Sequence, residues 1–123
     1  MTRSIFLLLS LTVLSSTLSA QSSDELIGKW EISAYIYWGI PFDPEDDEKN
    51  DYIEFYDDGT FKSYEKSTVE TGTWRWTKRP SILALGQDGE YLDIEVVELN
   101  EDELIVLLEE DGDAIKVKYE SRQ

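Results

Sequence analysis

Whatever chemistry this chain performs falls to carboxylates, tyrosines and lysines. Its 123 residues include no histidine and no cysteine. That removes the usual general base near neutral pH, the commonest transition-metal ligand, and every Ser-His or Cys-His nucleophile pair. There remain 27 Asp and Glu against 11 Lys and Arg, with 7 tyrosines. A carboxylate becomes an acid–base catalyst where an apolar pocket lifts its pKa, and a glycosidase needs two such groups across a cleft. The acids here fall in turn-forming runs and at the outer positions of alternating segments. The sequence therefore nominates no catalytic residue, and neither enzymatic activity nor a cofactor is expected.

The densest acidic run, over residues 43–51, raises calcium. Asp43, Glu45, Asp47 and Glu54 fall at positions 1, 3, 5 and 12 of an EF-hand spacing. Position 6 is Glu48, where that loop needs glycine for its sharp turn, and no helical pattern flanks it. The spacing supports no more than a weak surface site, and no metal ligands are assigned.

These side chains must be positioned by strands. Over 26–37, Trp30, Ile32, Ala34 and Ile36 share one face, while Lys29, Glu31, Ser33, Tyr35 and Tyr37 share the other. Period-two alternation of this kind marks a half-buried strand. Residues 38–51 read as a loop, because Gly39, Pro41, Pro44 and the acids 45–48 break any pattern. Its apolar start, Trp38, Ile40 and Phe42, is expected to fold back on the body. Further strands are predicted over 52–56, 60–66, 69–77, 81–85, 91–99, 103–109 and 114–120. The turns between them include Asp57-Asp58-Gly59, Gln87-Asp88-Gly89 and Asp111-Gly112, each with a glycine free to take positive φ. Gly72 marks a bulge or a close approach, and the step from Val96 to Val97 breaks alternation as a bulge does. The strand over 103–109 is apolar on both faces. Its Ile105 and Leu107, with Tyr35 and Tyr37, would contact whatever packs outside. The whole is an all-β fold, an eight-stranded antiparallel up-and-down barrel. At that size the interior is filled by side chains or holds one small ligand.

Three stretches then carry a resemblance. Leu26-Ile27-Gly28-Lys29-Trp30 opens the first strand with a G-x-W signature, followed in order by Phe55-Tyr56-Asp57-Asp58-Gly59-Thr60-Phe61 and Gly72-Thr73-Trp74. Set on eight strands, they resemble the lipocalin-like domains of small exported bacterial proteins. The resemblance implies a non-catalytic barrel that binds a small molecule. The chain departs from true lipocalins in being short and in lacking a T-D-Y motif. Where they cover the first tryptophan with arginine, the nearest candidates here are Lys116 and Lys118.

The first 20 residues read as a secretory signal peptide. Arg3 precedes an apolar run over 5–18, and Leu18-Ser19-Ala20 offers a cleavage point. The run is too short and too rich in Ser and Thr to span a bilayer comfortably. Cleavage after Ala20 leaves 103 of the 123 residues, one barrel domain over 21–123. An exported chain without cysteine fits a bacterial periplasm, cell surface or medium. The mature chain would carry 10 basic and 27 acidic residues, a net charge of −17. Such a surface is repelled by nucleic acid and anionic lipid headgroups, so neither is an expected partner, and no membrane insertion follows signal removal.

Up-and-down order sorts the side chains to two ends. Trp30, Phe55, Phe61 and Trp76 fall toward one end as an aromatic plug. Toward the other end the expected ligand contacts are Ile36, Trp38, Phe42, Tyr52, Ile53, Ser63, Trp74, Leu92 and Leu108, with the Ser63 and Tyr52 hydroxyls as polar groups. More than half of the acids map to this mouth, opposed only by Lys49 and Lys66. The expected ligand is small and apolar, under an acidic rim that disfavours fatty-acid carboxylates. The alternative is a barrel packed shut whose acidic loops meet a protein partner or calcium.

Overall fold

A computed structural model describes residues 25–122. The expected signal peptide lies outside the described residues. The strands are β1 (Gly28–Tyr37), β2 (Ile40–Phe42), β3 (Tyr52–Phe55), β4 (Thr60–Glu65), β5 (Thr68–Trp76), β6 (Ile82–Gln87), β7 (Glu90–Leu99), β8 (Glu103–Glu110) and β9 (Asp113–Ser121). All pairings are antiparallel, and β3 to β9 follow one another in chain order. β1 pairs with β9 from Trp30↔Ser121 to Ile36↔Lys116, which closes the sheet. The chain thus forms the expected eight-stranded barrel from β1 and β3–β9, with β2 as an added strand.

β2 arises because β1 shares one edge between two partners. Gly28–Glu31 pair with β3, and Tyr35–Tyr37 pair with β2. Trp38 and Gly39 both take positive φ, 55° and 80°, in the tight turn between β1 and β2. This mirror-image turn matches the twist of a two-residue hairpin. The region expected as loop therefore begins as a hairpin, and Pro41 is tolerated because β2 is an edge strand. A 3-10 turn, Asp46–Glu48, then leads the chain back to β3.

The alternation in β1 does not run unbroken. The register passes from Ile32↔Tyr119 to Ala34↔Lys118, leaving Ser33 as an extra residue. A bulge shifts the faces by one position. Trp30 and Ile32 face the core, but beyond Ser33 it is Tyr35 that packs against it. The expectation that Ala34 and Ile36 point inward, with Tyr35 and Tyr37 outside, is corrected by that one residue. A second bulge occurs where the sequence signals it, between Val96↔Val106 and Glu98↔Ile105.

The closed end is built around Trp30, 1% exposed, whose Nε1–H donates to the Leu26 carbonyl at 2.9 Å. Phe55 and Phe61 are buried beside it. Trp74 meets Phe55 edge-on at 5.7 Å and donates its Nε1–H to the Tyr56 carbonyl at 3.0 Å. Trp76 packs against this cluster, with a buried Nε1 that has no partner among the described residues. Gly72 is a close approach: a Cβ there would lie 2.2 Å from the Gly86 carbonyl oxygen and 2.7 Å from the Phe61 ring. Lys116 and Lys118 alternate with the buried Ile115 and Val117, so they face out, and Lys118 pairs with Glu103 at 2.9 Å. Neither lysine covers Trp30.

Candidate functional site

Two short ladders of side chains climb from the plug toward the open end. On β4 the inward residues are Phe61, Ser63 and then Glu65; on β3 they are Phe55 and Ile53, continued by Asp51. Register sets Phe55 opposite Phe61 and Ile53 opposite Ser63. Both ladders thus pass from aromatic floor to a middle layer to a carboxylate. Across from them stand Ile32 and Tyr35 of β1, Leu108 of β8, and Ile115, Val117 and Tyr119 of β9. The space between is a cavity of about 780 Å³, bordered at its mouth by Phe42, Asp43, Glu45 and Glu48. That volume falls within the range of small-molecule pockets, about 300–1,000 Å³.

The polar groups of the cavity form one cluster. The Tyr35 hydroxyl donates to Glu48 Oε2 at 2.6 Å. Asp51, 6% exposed, accepts the Lys66 backbone N–H on Oδ1 at 2.9 Å. Burial raises the Asp51 pKa, and the Glu48 and Asp47 charges add to the rise, outweighing the Lys66 N–H that favours the anion. Burial likewise raises Glu65, followed by the charges of Asp51, Glu70 and Glu48. The Tyr119 phenol is held far above its ordinary value by burial and then by Glu65 and Asp51. Burial, and then the hydrogen bond and charge of Glu48, do the same for Tyr35. The expectation that no carboxylate lies in an enclosed site where its pKa would rise is therefore overturned for Asp51, while Glu65 is raised as an exposed residue at the rim. Ser63, 9% exposed, lines the cavity just below them, and its hydroxyl pairs with no described group. Lys66 is the one basic residue among the described lining.

Of the expected contacts, Phe42, Ile53, Ser63 and Leu108 line this space. Tyr52 borders it, but its ring stands on the outer face, stacked on Tyr64 at 5.6 Å with the Lys29 ammonium 4.1 Å above. Four residues lie elsewhere. Ile36 is turned away by the Ser33 bulge. Trp38 occupies the β1–β2 turn and is 92% exposed. Trp74 on β5 and Leu92 on β7 belong to the β5–β7 wall, which the cavity does not touch; Trp74 is spent on the plug and Leu92 faces solvent at 60% exposure. The cavity is off-centre, against β1, β3, β4, β8 and β9. Tyr35, Asp51, Glu65 and Tyr119 are the additions. Asp51 and Glu65 share the period-two phase of Ile53 and Ser63, so the sequence carried that signal. Tyr119 likewise alternates with Ile115 and Val117.

The EF-hand spacing does not assemble. Glu45, Asp47 and Glu48 can bring carboxylate oxygens within 4.8 Å of one another on the 3-10 turn. Glu54 is drawn away on β3, where it accepts from the Tyr56 hydroxyl at 3.1 Å. Among the described residues, no helix is long and apolar enough to cross a membrane.

A family model described as a lipocalin-like domain matches residues 26–106, from Leu26, buried beside Trp30, into β8. Among solved structures, the chain is similar to a lipocalin-like protein from Bacteroides uniformis ATCC 8492. The TM-score is 0.54 at 15% identity, over 80% of this chain and 99% of that one. No curated protein matches.

Proposed function

This chain belongs to the lipocalin-like domain family, generally a binding fold and not a catalytic one, and we propose that it is an exported module holding one small molecule in its barrel cavity. The observation that carries this reading is the cavity itself, about 780 Å³ in a barrel small enough to have packed shut. Its floor and walls supply apolar surface from Ile32, Ile53, Leu108 and Val117, with Phe42 at the rim. A ligand body resting there would contact Ser63 with its first polar group. The lining is about equally polar and apolar, with the polar groups gathered toward the mouth, so an apolar body would lie at the floor with its polar end outward. The open space favours this over a closed barrel that works only through its loops.

Native mass spectrometry of the protein purified from its own host without detergent is the test. The expected result is a chain mass matching residues 21–123, which would establish cleavage after Ala20, with an adduct of small-molecule mass. Leu108→Trp, which fills the cavity, should lose the adduct. An adduct that survives this substitution would move the binding site elsewhere. A wild-type chain that carries nothing, and that takes up no small amphiphile when offered one, would end the binding-module reading.

A further inference from the structure

We propose that the molecule this cavity is built for is an amphipathic organic cation, an ammonium group carried on an apolar body. The inference rests on the binding-module reading above and deepens it. Its geometry is a gradient along one axis. The floor is the aromatic plug; Ile53 and Ser63 stand side by side in the layer above it, with Val117 also lining the space; Asp51, Glu65 and Glu48 lie toward the mouth. The Glu48 charge raises the cost of ionising Asp51 and Glu65, Asp51 raises that of Glu65, and Glu65 and Asp51 raise that of the Tyr119 phenol. A cation among them relieves that repulsion, whereas an anion adds to it.

Two further observations point to a ligand and not to a merely solvated acidic face. Ser63 is more than nine-tenths buried, faces the cavity, and its hydroxyl is unmatched by any described group, at the level where a ligand's first polar atom would stand. Aromatic rings stand among the carboxylates: the Tyr35 hydroxyl donates to Glu48, the Tyr119 phenol feels the charges of Glu65 and Asp51, and Tyr37 lines the same space with Phe42 edge-on at 5.7 Å. Aromatic faces beside carboxylates are how proteins hold ammonium groups out of bulk water. A bare divalent metal fits less well. It wants six to eight oxygens in a tight cage, and here the carboxylates ring a wide space floored with apolar side chains.

The test uses three probes with one decyl chain: decylammonium, decanol and decanoate. Binding is measured by calorimetry at low salt, below the concentration at which any of them forms micelles. Decylammonium is expected to bind about tenfold or more tighter than decanol, a difference of ~1.4 kcal/mol, with decanoate weakest. In the double variant Asp51→Asn, Glu65→Gln the preference should collapse to about twofold or less, since charge is removed with shape kept. A cooperative thermal melt certifies that the variant folds. Asp93→Asn with Glu95→Gln, on the outer face of β7, should leave the preference intact. Equal binding of decylammonium and decanol, tighter binding of decanoate, or a preference that follows the outer-face variant would overturn the cation inference and leave the binding module standing. Binding of none of the three would overturn both.

Discussion

Trp30 and Trp76 are the same residue in opposite circumstances. Each presents an indole to the plug, but Trp30 Nε1–H reaches the Leu26 carbonyl and Trp76 Nε1–H reaches no acceptor among the described residues. A buried donor without a partner costs about 1–3 kcal/mol. Trp30→Phe should therefore destabilise by about 2 kcal/mol or more, since it also strands the Leu26 carbonyl. Trp76→Phe should cost less than about 1.5 kcal/mol, because the lost ring volume is offset by removing the orphan donor. Urea unfolding of the two variants checks the contrast. Asp51 gives a second expectation. Its folded pKa is raised, so between the ordinary carboxylate range and the folded value the native state holds the proton more often than the unfolded chain does. Stability is then full below that range and falls as pH rises through the window. Asp51→Asn keeps an acceptor for the Lys66 N–H and removes the charge. It should melt above wild type at pH 7, with the gap closing as pH falls through that window to the ordinary range near ~4. A gap that widened in acid would refute the assignment.

Among the elements, β1 shows best what a sequence discloses and what it conceals. Its alternation, its glycine and its tryptophan were legible, and so was the strand itself. The bulge at Ser33 was not, because inserting one residue leaves hydrophobicity at 32, 34 and 36 looking perfectly regular. Alternation alone therefore assigns everything past it on β1 to the wrong face, which puts Ile36 in the expected site and Tyr35 out of it. On β7 the same device was visible, since Val96 and Val97 are adjacent and both apolar. The β4–β5 turn is a further case of local chemistry overruled by context. Lys66 and Ser67 both take positive φ, 47° and 72°, where Asn-Gly would be the comfortable pair. The Asp51 carboxylate holds the turn in place through the Lys66 N–H. Ser67→Gly should relieve about 1 kcal/mol of left-handed strain, raising Tm by roughly 4–8 °C for a domain of this size. Differential scanning calorimetry reads it directly, and an unchanged or lowered Tm would mean the turn carries no such strain.

At the scale of the molecule, up-and-down order was readable because hairpin turns punctuate the chain at near-regular intervals. The off-centre cavity was not, because which wall bulges and which packs depends on the sum of all nine strands. Charge acts at this scale too. A formal net charge of −16 on 123 residues repels itself in the compact state. Ion pairs among the described residues are few and exposed, such as Arg79–Asp93 and Lys49–Asp46, and exposed pairs contribute little. Added sodium chloride should therefore raise Tm, most steeply up to ~0.15 M, where the screening length falls to about 8 Å. A Tm that declined with salt over that interval would show that the surface pairs outweigh the repulsion.

The seam between β1 and β9 has a consequence in time. Each of β4 to β9 pairs with its predecessor across a short turn, so those hairpins can zip locally as they are made. The bond row from Trp30↔Ser121 to Ile36↔Lys116 joins the two ends of the domain and has to wait for the last strand. A chain emerging N-terminus first is until then an open, twisted ribbon with two bare edges, the form most prone to pair with a neighbour. The same surplus of negative charge that strains the finished barrel would keep such half-built copies apart.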